Sequence, residues 1–354
     1  MKKFLIVIFI LLTGIIFLFI ITPWRMTFKT FNFLLSVLPV EVVDFKEDVI
    51  QEIHQKDQQT AFYVFRPASP DASLGGPADE SKYPGMVVSL GIHPKGAEGE
   101  NLQNFFQRLV QNKIVVVTVD SQLLKESLID PKEIENLVEA FQLLEKQPYV
   151  YSNKIGFFGL SVGSSLAFLA AADPAIQDKV KYILWTGGYF DAKELIQNVL
   201  SKSFIYQKEI IPWDPSPRIQ EVVEKNLERF SQEEKTIEGK DFIEKIKETT
   251  NRTELEKFFQ DLPPSTAQLL ESISPKTVIS EVKAPLFILH GKKDQLIPFP
   301  HSILLSEMYP GQKIMVLSDR YGHVSPEKPT FKDLFSKEFW QVIYFSNKLL
   351  AEIF

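Results

Sequence analysis

Residues 159–163 read Gly-Leu-Ser-Val-Gly, with a serine between two glycines where the apolar run Ile155 to Phe158 gives way to helix-favouring residues. A serine hydroxyl is a weak nucleophile until a neighbouring base takes its proton, so chemistry at Ser161 demands a histidine and an acid to orient it. The chain has five histidines. His54 lies before the expected sheet and His93 before the serine, while His290 closes an apolar stretch and reads as a core or edge residue. His323, in SDRYGHVSP, sits on a loop after the last strand-like run and is the expected base; His301, in FPHS, is the alternative. Asp294, in HGKKDQLIP, follows another strand-like run and falls between the serine and His323. Serine, acid and base therefore occur in the chain order expected when the serine occupies a strand-to-helix turn. Asp191, at the end of TGGYFD, is the alternative acid.

Attack on a carbonyl also needs donors aimed at the oxygen that becomes negative. The Val162 N–H lies at the positive end of the helix after the turn and is one expected donor. The Ile92 N–H is the other, because Gly91 and Gly96 give the segment GIHPKG room to approach; Pro94 has no N–H to offer.

These residues need a frame that carries loops to one edge. The continuous apolar runs Met86 to Ile92 and Ile114 to Asp120 suit strands buried on both faces, as do IGFFG from Ile155, KYILWTGG from Lys181, PLFILHG from Pro285 and KIMVLSD from Lys313. AFYVFRP, Ala61 to Pro67, reads as a strand, followed by a loop rich in Pro, Gly, Ser and Asp. Between strands, Leu102 to Val110 is helical in pattern. Asp130-Pro131 opens a second helix, with Glu133 in capping-box position and Ile134, Leu137, Val138 and Phe141 on one face. Strands alternating with helices imply an α/β fold with a mostly parallel sheet flanked by helices. From about 192 to 282 the strand pattern gives way to helical spacing at Ile219, Val222, Val223, Leu227 and Phe230 amid dense Glu and Lys, which predicts a helical cap insertion over the sheet. Leu269, Leu270 and Ile273 are candidates to face an acyl chain there, or to be plain core.

FYVFRP with KYPGMVVSLG, FFGLSVGSS, LHGKKDQLIP and YGHV resembles the α/β-hydrolase superfamily, and within it the dienelactone-hydrolase-like and acyl-thioesterase-like serine hydrolases. The resemblance covers about residues 55 to 354. It implies hydrolysis of a carboxylic ester, a thioester or an amide through an acyl-enzyme on Ser161, which His323 helps water to release. Two departures qualify it. Many relatives carry His-Gly after the strand that supplies the second oxyanion donor, where this chain has Leu90-Gly91. Peptidase relatives usually carry a further glycine after the serine turn and a propeller domain, which makes an esterase the expectation. An acyltransferase using the same triad, or a non-catalytic protein that keeps the fold as a binding scaffold, are the alternatives. No cofactor is expected, since the triad lies within one chain, and no HExxH-like ligand spacing suggests a metal.

The N-terminus opens with two lysines before 18 uncharged residues, Phe4 to Ile21. A membrane-spanning helix needs about 20 apolar residues, whereas a cleavable signal has a core of roughly 7 to 15 and a small-residue cleavage site. Thr22-Pro23-Trp24-Arg25 offers no such site, so an uncleaved signal-anchor is expected, with the main domain outside the cytoplasm. The expected organisation is a transmembrane anchor over 1–25, a juxtamembrane segment over 26–54, a core built from 55–191 and 283–354, and the cap over 192–282. A formal net charge of −6 and the lack of a basic cluster interleaved with aromatics argue against nucleic acid as a partner. The expected partners are a small-molecule acyl substrate, lipid-like ones included, and the membrane. With no cysteine, disulfides, thiolate metal sites and cysteine nucleophiles are all excluded.

Overall fold

Met86, Val87 and Val88 on one strand and Val115, Val116 and Val117 on its neighbour are fully buried. Successive side chains of a strand point to opposite faces, so an unbroken apolar run must be covered on both. A computed structural model, which describes residues 49–68, 82–324 and 336–354, shows this arrangement. The strands are β1 (Val49–Gln55), β2 (Thr60–Pro67), β3 (Tyr83–Ser89), β4 (Val115–Ser121), β5 (Val150–Leu160), β6 (Val180–Thr186), β7 (Ser203–Tyr206), β8 (Glu209–Pro212), β9 (Leu286–Gly291) and β10 (Lys313–Ser318). Eight of them form one sheet in the order β1-β2-β4-β3-β5-β6-β9-β10. Pairing is antiparallel between β1 and β2 and between β2 and β4, and parallel from β4 onward.

The principal helices are α1 (Glu100–Gln111), α2 (Lys132–Glu145), α3 (Val162–Ala170), α4 (Ala192–Ser201), α5 (Pro217–Glu233), α6 (Ile237–Glu248), α7 (Arg252–Gln260), α8 (Pro264–Ser272), α9 (Pro300–Met308) and α10 (Lys337–Ile353). Val87, Val115, Val117 and Phe157 share one core with Phe141 of α2 and Leu166 and Phe168 of α3. Met86, Val88, Val116 and Phe158 face the other way, into a core with Phe106 and Leu109 of α1 and Leu349 of α10.

Several expectations need correction. Among the described residues the sheet already includes Val49–Gln55 rather than starting near 55, so the end of the expected juxtamembrane segment, His54 included, is strand β1 paired with β2. β3 ends at Ser89, which frees Leu90, Gly91 and Ile92 to leave the sheet as a loop. Glu133 does not cap its helix. It is buried and accepts a hydrogen bond from Ser121 Oγ (2.5 Å), while Asp130 Oδ1 accepts from the Lys132 N–H (2.8 Å).

The region 192–282 carries helices α4 to α8, but also the antiparallel pair β7-β8. Leu270 and Ile273 pack in the core under this region, with Leu269 against it. The expected anchor and the juxtamembrane segment as far as residue 48 fall on residues outside those described. No helix among the described residues is long and apolar enough to cross a membrane.

Candidate active site

β5 runs straight into Ser161, whose backbone sits at φ +57°, ψ −133°, a region that non-glycine residues rarely enter. Such a conformation persists only when its surroundings over-determine it. The Ser161 N–H donates to the Thr186 carbonyl (2.8 Å), and the Ser161 carbonyl accepts from the Ser164 N–H (2.8 Å). Thr186 Oγ1 donates to the Gly159 carbonyl (2.6 Å), and Ser164 Oγ to the Thr186 carbonyl (3.0 Å). The end of β6 thus clamps both sides of the turn. At Gly163 a Cβ would stand 2.2 Å from the Ser89 carbonyl oxygen and 2.5 Å from that of Leu90, so only glycine lets α3 approach the end of β3 this closely.

Val162 and Ile92 line the same cleft as Ser161. A Cβ at Gly91 would lie 2.8 Å from Ser161 Cβ and 3.4 Å from its Oγ, so the bare Gly91 backbone lies against the serine, next to the Gly91–Ile92 peptide. The loop is fixed from behind, where Asp120 Oδ1 accepts from the Ala97 N–H (2.8 Å) and Asp120 Oδ2 pairs with Lys125. The Ile92 carbonyl accepts a hydrogen bond from Arg218 Nη2, which reaches over from the first turn of α5.

Asp294 and His323 come together as the sequence predicts. His323 Nδ1 donates to Asp294 Oδ2 (2.7 Å), an assignment that follows from the carboxylate being acceptor-only. Asp294 Oδ1 accepts from the N–H groups of Leu296 (2.7 Å) and Ile297 (3.0 Å). Burial pushes the Asp294 carboxyl up, but hydrogen bonds from His290 and His323, and their charges, hold it well below the usual carboxylate range. His323 lines the cleft beside Ser161, and its Nε2 is buried without a hydrogen-bond partner. In the neutral tautomer that nitrogen carries the lone pair, free to accept a proton within the cleft that Ser161 also lines. Hydrogen bonds at catalytic residues are often long or unmade before substrate arrives.

His290 is more than the core residue expected. Its Nε2 lies 3.0 Å from the Ile297 carbonyl and 3.3 Å from Asp294 Oδ2, two acceptors, and must therefore carry a proton. Its Nδ1 is 2.6 Å from Ser302 Oγ, which in turn accepts from Trp185 Nε1 (3.0 Å). A neutral His290 with the Ser302 hydroxyl donating to Nδ1 gives each link from Trp185 through Ser302, His290 and Asp294 to His323 Nδ1 one donor and one acceptor, and leaves only His323 Nε2 without a partner. The spacing of His290 and Asp294, four residues apart across the end of β9, was the one sequence signal for this contact.

The alternative base and acid lie elsewhere. His301 is buried in α9, where Nδ1 accepts from the Phe190 N–H (3.3 Å) and Nε2 contacts Asn198 Nδ2 (3.2 Å). Burial pushes its pKa from 6.5 down to about 3. Below pH 6.5 the unfolded chain binds a proton at this position that the folded chain refuses, so stability is fully present above 6.5 and declines as pH falls towards 3. Urea unfolding at several pH values should show this decline in the wild type and a shallower one in His301→Gln. Asp191 caps α4, accepting from the Lys193 N–H (2.9 Å), and pairs with Lys276.

The cleft holds about 120 Å³ and its walls are mostly apolar, with Leu90, Leu160, Ile219, Val222 and Leu296 among them. Ile219 and Val222 come from α5, whereas Leu269, Leu270 and Ile273 do not reach it. The cap is tied to the acid loop, since Trp213 Nε1 donates to the Asp294 carbonyl (3.0 Å) and the Ser216 N–H to the Gln295 carbonyl (2.8 Å). Among the described residues no group of three or more His, Cys, Asp or Glu is placed to hold a metal ion.

A mostly parallel sheet with a strained serine at the end of β5, and an acid and a histidine on loops after β9 and β10, defines an α/β-hydrolase fold. A sequence model of the BD-FAE family matches residues 92–309, and the chain belongs to that family. No curated protein matches the sequence. Among solved structures, a 2,6-dihydroxy-pseudo-oxynicotine hydrolase aligns over 87% of this chain and 70% of its own at 15% identity, with a TM-score of 0.51. An acylaminoacyl peptidase in complex with a chloromethyl ketone aligns over 88% of this chain and 42% of its own at 14% identity, with a TM-score of 0.50. A puromycin-hydrolyzing peptidase of Mycobacterium tuberculosis gives 89%, 40%, 14% and 0.50 for the same quantities. The chain spans about two fifths of the length of both peptidases. At such identities the likeness is one of fold.

Proposed function

We propose that the protein is a membrane-anchored serine hydrolase that cleaves a carboxylic ester or related acyl compound through an acyl-enzyme on Ser161. The observation that carries this reading is the convergence of Ser161 and the Asp294-held His323 on one apolar cleft. His323 Nε2 takes the proton as Ser161 Oγ attacks the carbonyl carbon, and the Val162 and Ile92 N–H groups receive the oxyanion. His323 then protonates the leaving oxygen, sulfur or nitrogen as the acyl bond breaks. In the second half-reaction water loses its proton to His323, adds to the acyl-enzyme and releases the acid, returning the proton to Ser161.

An apolar cavity of ~150 Å³ takes a benzene ring, so a cleft of this size suits a short acyl group. Two of the similar structures reported above are peptidases, which keeps amide cleavage within the reading. The uncharged run Phe4 to Ile21 supports the anchor over 1–25 with a juxtamembrane stretch after it, and the proposal sets the main domain outside the cytoplasm. Turnover of 4-nitrophenyl esters by the full chain, fastest for short acyl groups and retained by carbonate-washed membranes, is the expected result. Folded protein that turns over none of them would contradict the hydrolase half, and activity released by the wash would contradict the anchor. Retention of the acyl group by an added alcohol, rather than by water, would identify an acyltransferase instead.

A further inference from the structure

Arg218 stands at the cleft that holds Ser161 and His323. The residue is exposed, and Nη2 donates to the Ile92 carbonyl, the only hydrogen bond its side chain makes among the described residues. A guanidinium offers five N–H donors in a planar fork that matches a carboxylate. No described carboxylate takes them up: Glu221, one turn along α5, is held by Lys225 (2.7 Å). The described lining of the cleft contains no Asp or Glu at all. His93 lines the same wall, and burial first, then the charges of Arg218 and Lys95, lower its pKa. In a chain of net charge −6, a cation at an apolar cleft that pairs with no carboxylate among the described residues is a local exception to the overall field.

We propose that Arg218 binds a carboxylate carried by the substrate, so that the site selects anionic acyl compounds over neutral ones of the same shape. This rests on the hydrolase reading above. The neighbouring Ile92 segment fixes one edge of the fork through its carbonyl, and the remaining donors form charge-assisted, two-point hydrogen bonds with the substrate's anion. The anion belongs either to the acyl half or to the leaving half of the substrate, and two substrate pairs distinguish them. In the first, the mono-(4-nitrophenyl) ester of adipic acid is compared with its methyl-capped diester. In the second, 4-butyryloxybenzoate is compared with 4-butyryloxybenzamide.

Each pair is measured with the full chain as wild type, Arg218→Gln and Arg218→Lys, so that intrinsic reactivity cancels between proteins. The expected result is that the anionic-to-neutral ratio of kcat/KM falls about tenfold or more in Arg218→Gln in one pair, mainly through KM, because hydrogen bonds to charged groups are of that strength. Arg218→Lys should fall between, keeping the charge and losing the fork. The pair that responds shows which half carries the anion. Ratios unchanged in both pairs, with anionic and neutral substrates losing activity in parallel, would overturn the proposal and leave Arg218 as a brace for the Ile92 loop. Fluorophosphonate labelling of Ser161 in the same preparations separates the two levels. A labelled Ser161 with unchanged ratios overturns only the role of Arg218, whereas folded wild type without label overturns the hydrolase reading and this inference with it.

Discussion

Replacing Ser161 by alanine should lower kcat for ester hydrolysis by about 10⁴-fold or more, because the nucleophile of a triad cannot be replaced by the base or the acid. Alanine keeps the Cβ, so the backbone at φ +57° is neither relaxed nor further strained, and the clamp from Thr186 and Ser164 uses only the Ser161 main chain. The variant should therefore unfold at nearly the wild-type temperature. Residual hydrolysis of wild-type magnitude in this folded variant would place the chemistry elsewhere.

The second large effect is expected at Asp294. Asparagine there would offer its amide where His323 Nδ1 needs an acceptor, favouring the tautomer with the proton on Nε2, the atom that has to receive the serine's. A loss of about 10⁴-fold in kcat is the scale for such an inversion. Stability should change as well, with a particular pH dependence. The folded-state pKa of Asp294 lies below the ordinary 3.8, so its carboxylate stabilises the fold above that pH and the benefit is lost as pH falls through the acid range. The wild type should be more stable than Asp294→Asn at pH 7, with the gap starting to close below about pH 4, where the unfolded chain takes up a proton that the folded carboxylate still refuses. Equal kcat values, measured by progress curves on folded protein, would remove Asp294 from the site.

Much of this site was legible in the sequence because its parts are local. Gly-Leu-Ser-Val-Gly follows a run that only a buried strand explains, and Asp294 and His323 each come within a few residues of the strand that carries them. What could not be read depends on contacts distant in the chain, or on turns with no residue signature. The β7-β8 hairpin turns at Gln207 and Lys208, both at positive φ, where glycine or asparagine would have announced it. β1 is a mostly exposed edge, so its burial pattern carries little periodicity. The hydrogen bond between Trp185 and Ser302 spans 117 residues, and the Arg218 bond to Ile92 spans 126, distances at which pattern gives no guidance. Helical spacing marked α5, and Leu269, Leu270 and Ile273 were equally candidates to face an acyl chain, but only the packing of the cap decides that α5 faces the serine.

The most direct measurement is fluorophosphonate labelling of the full chain with the modified residue located by peptide mass spectrometry, repeated on His323→Ala. Labelling of Ser161 in the wild type and its loss in the folded variant are the expected pair of results, since an unactivated serine does not react. Folded wild type that takes up no label, or a Ser161 adduct that forms equally well without His323, would contradict an activated nucleophile at this turn.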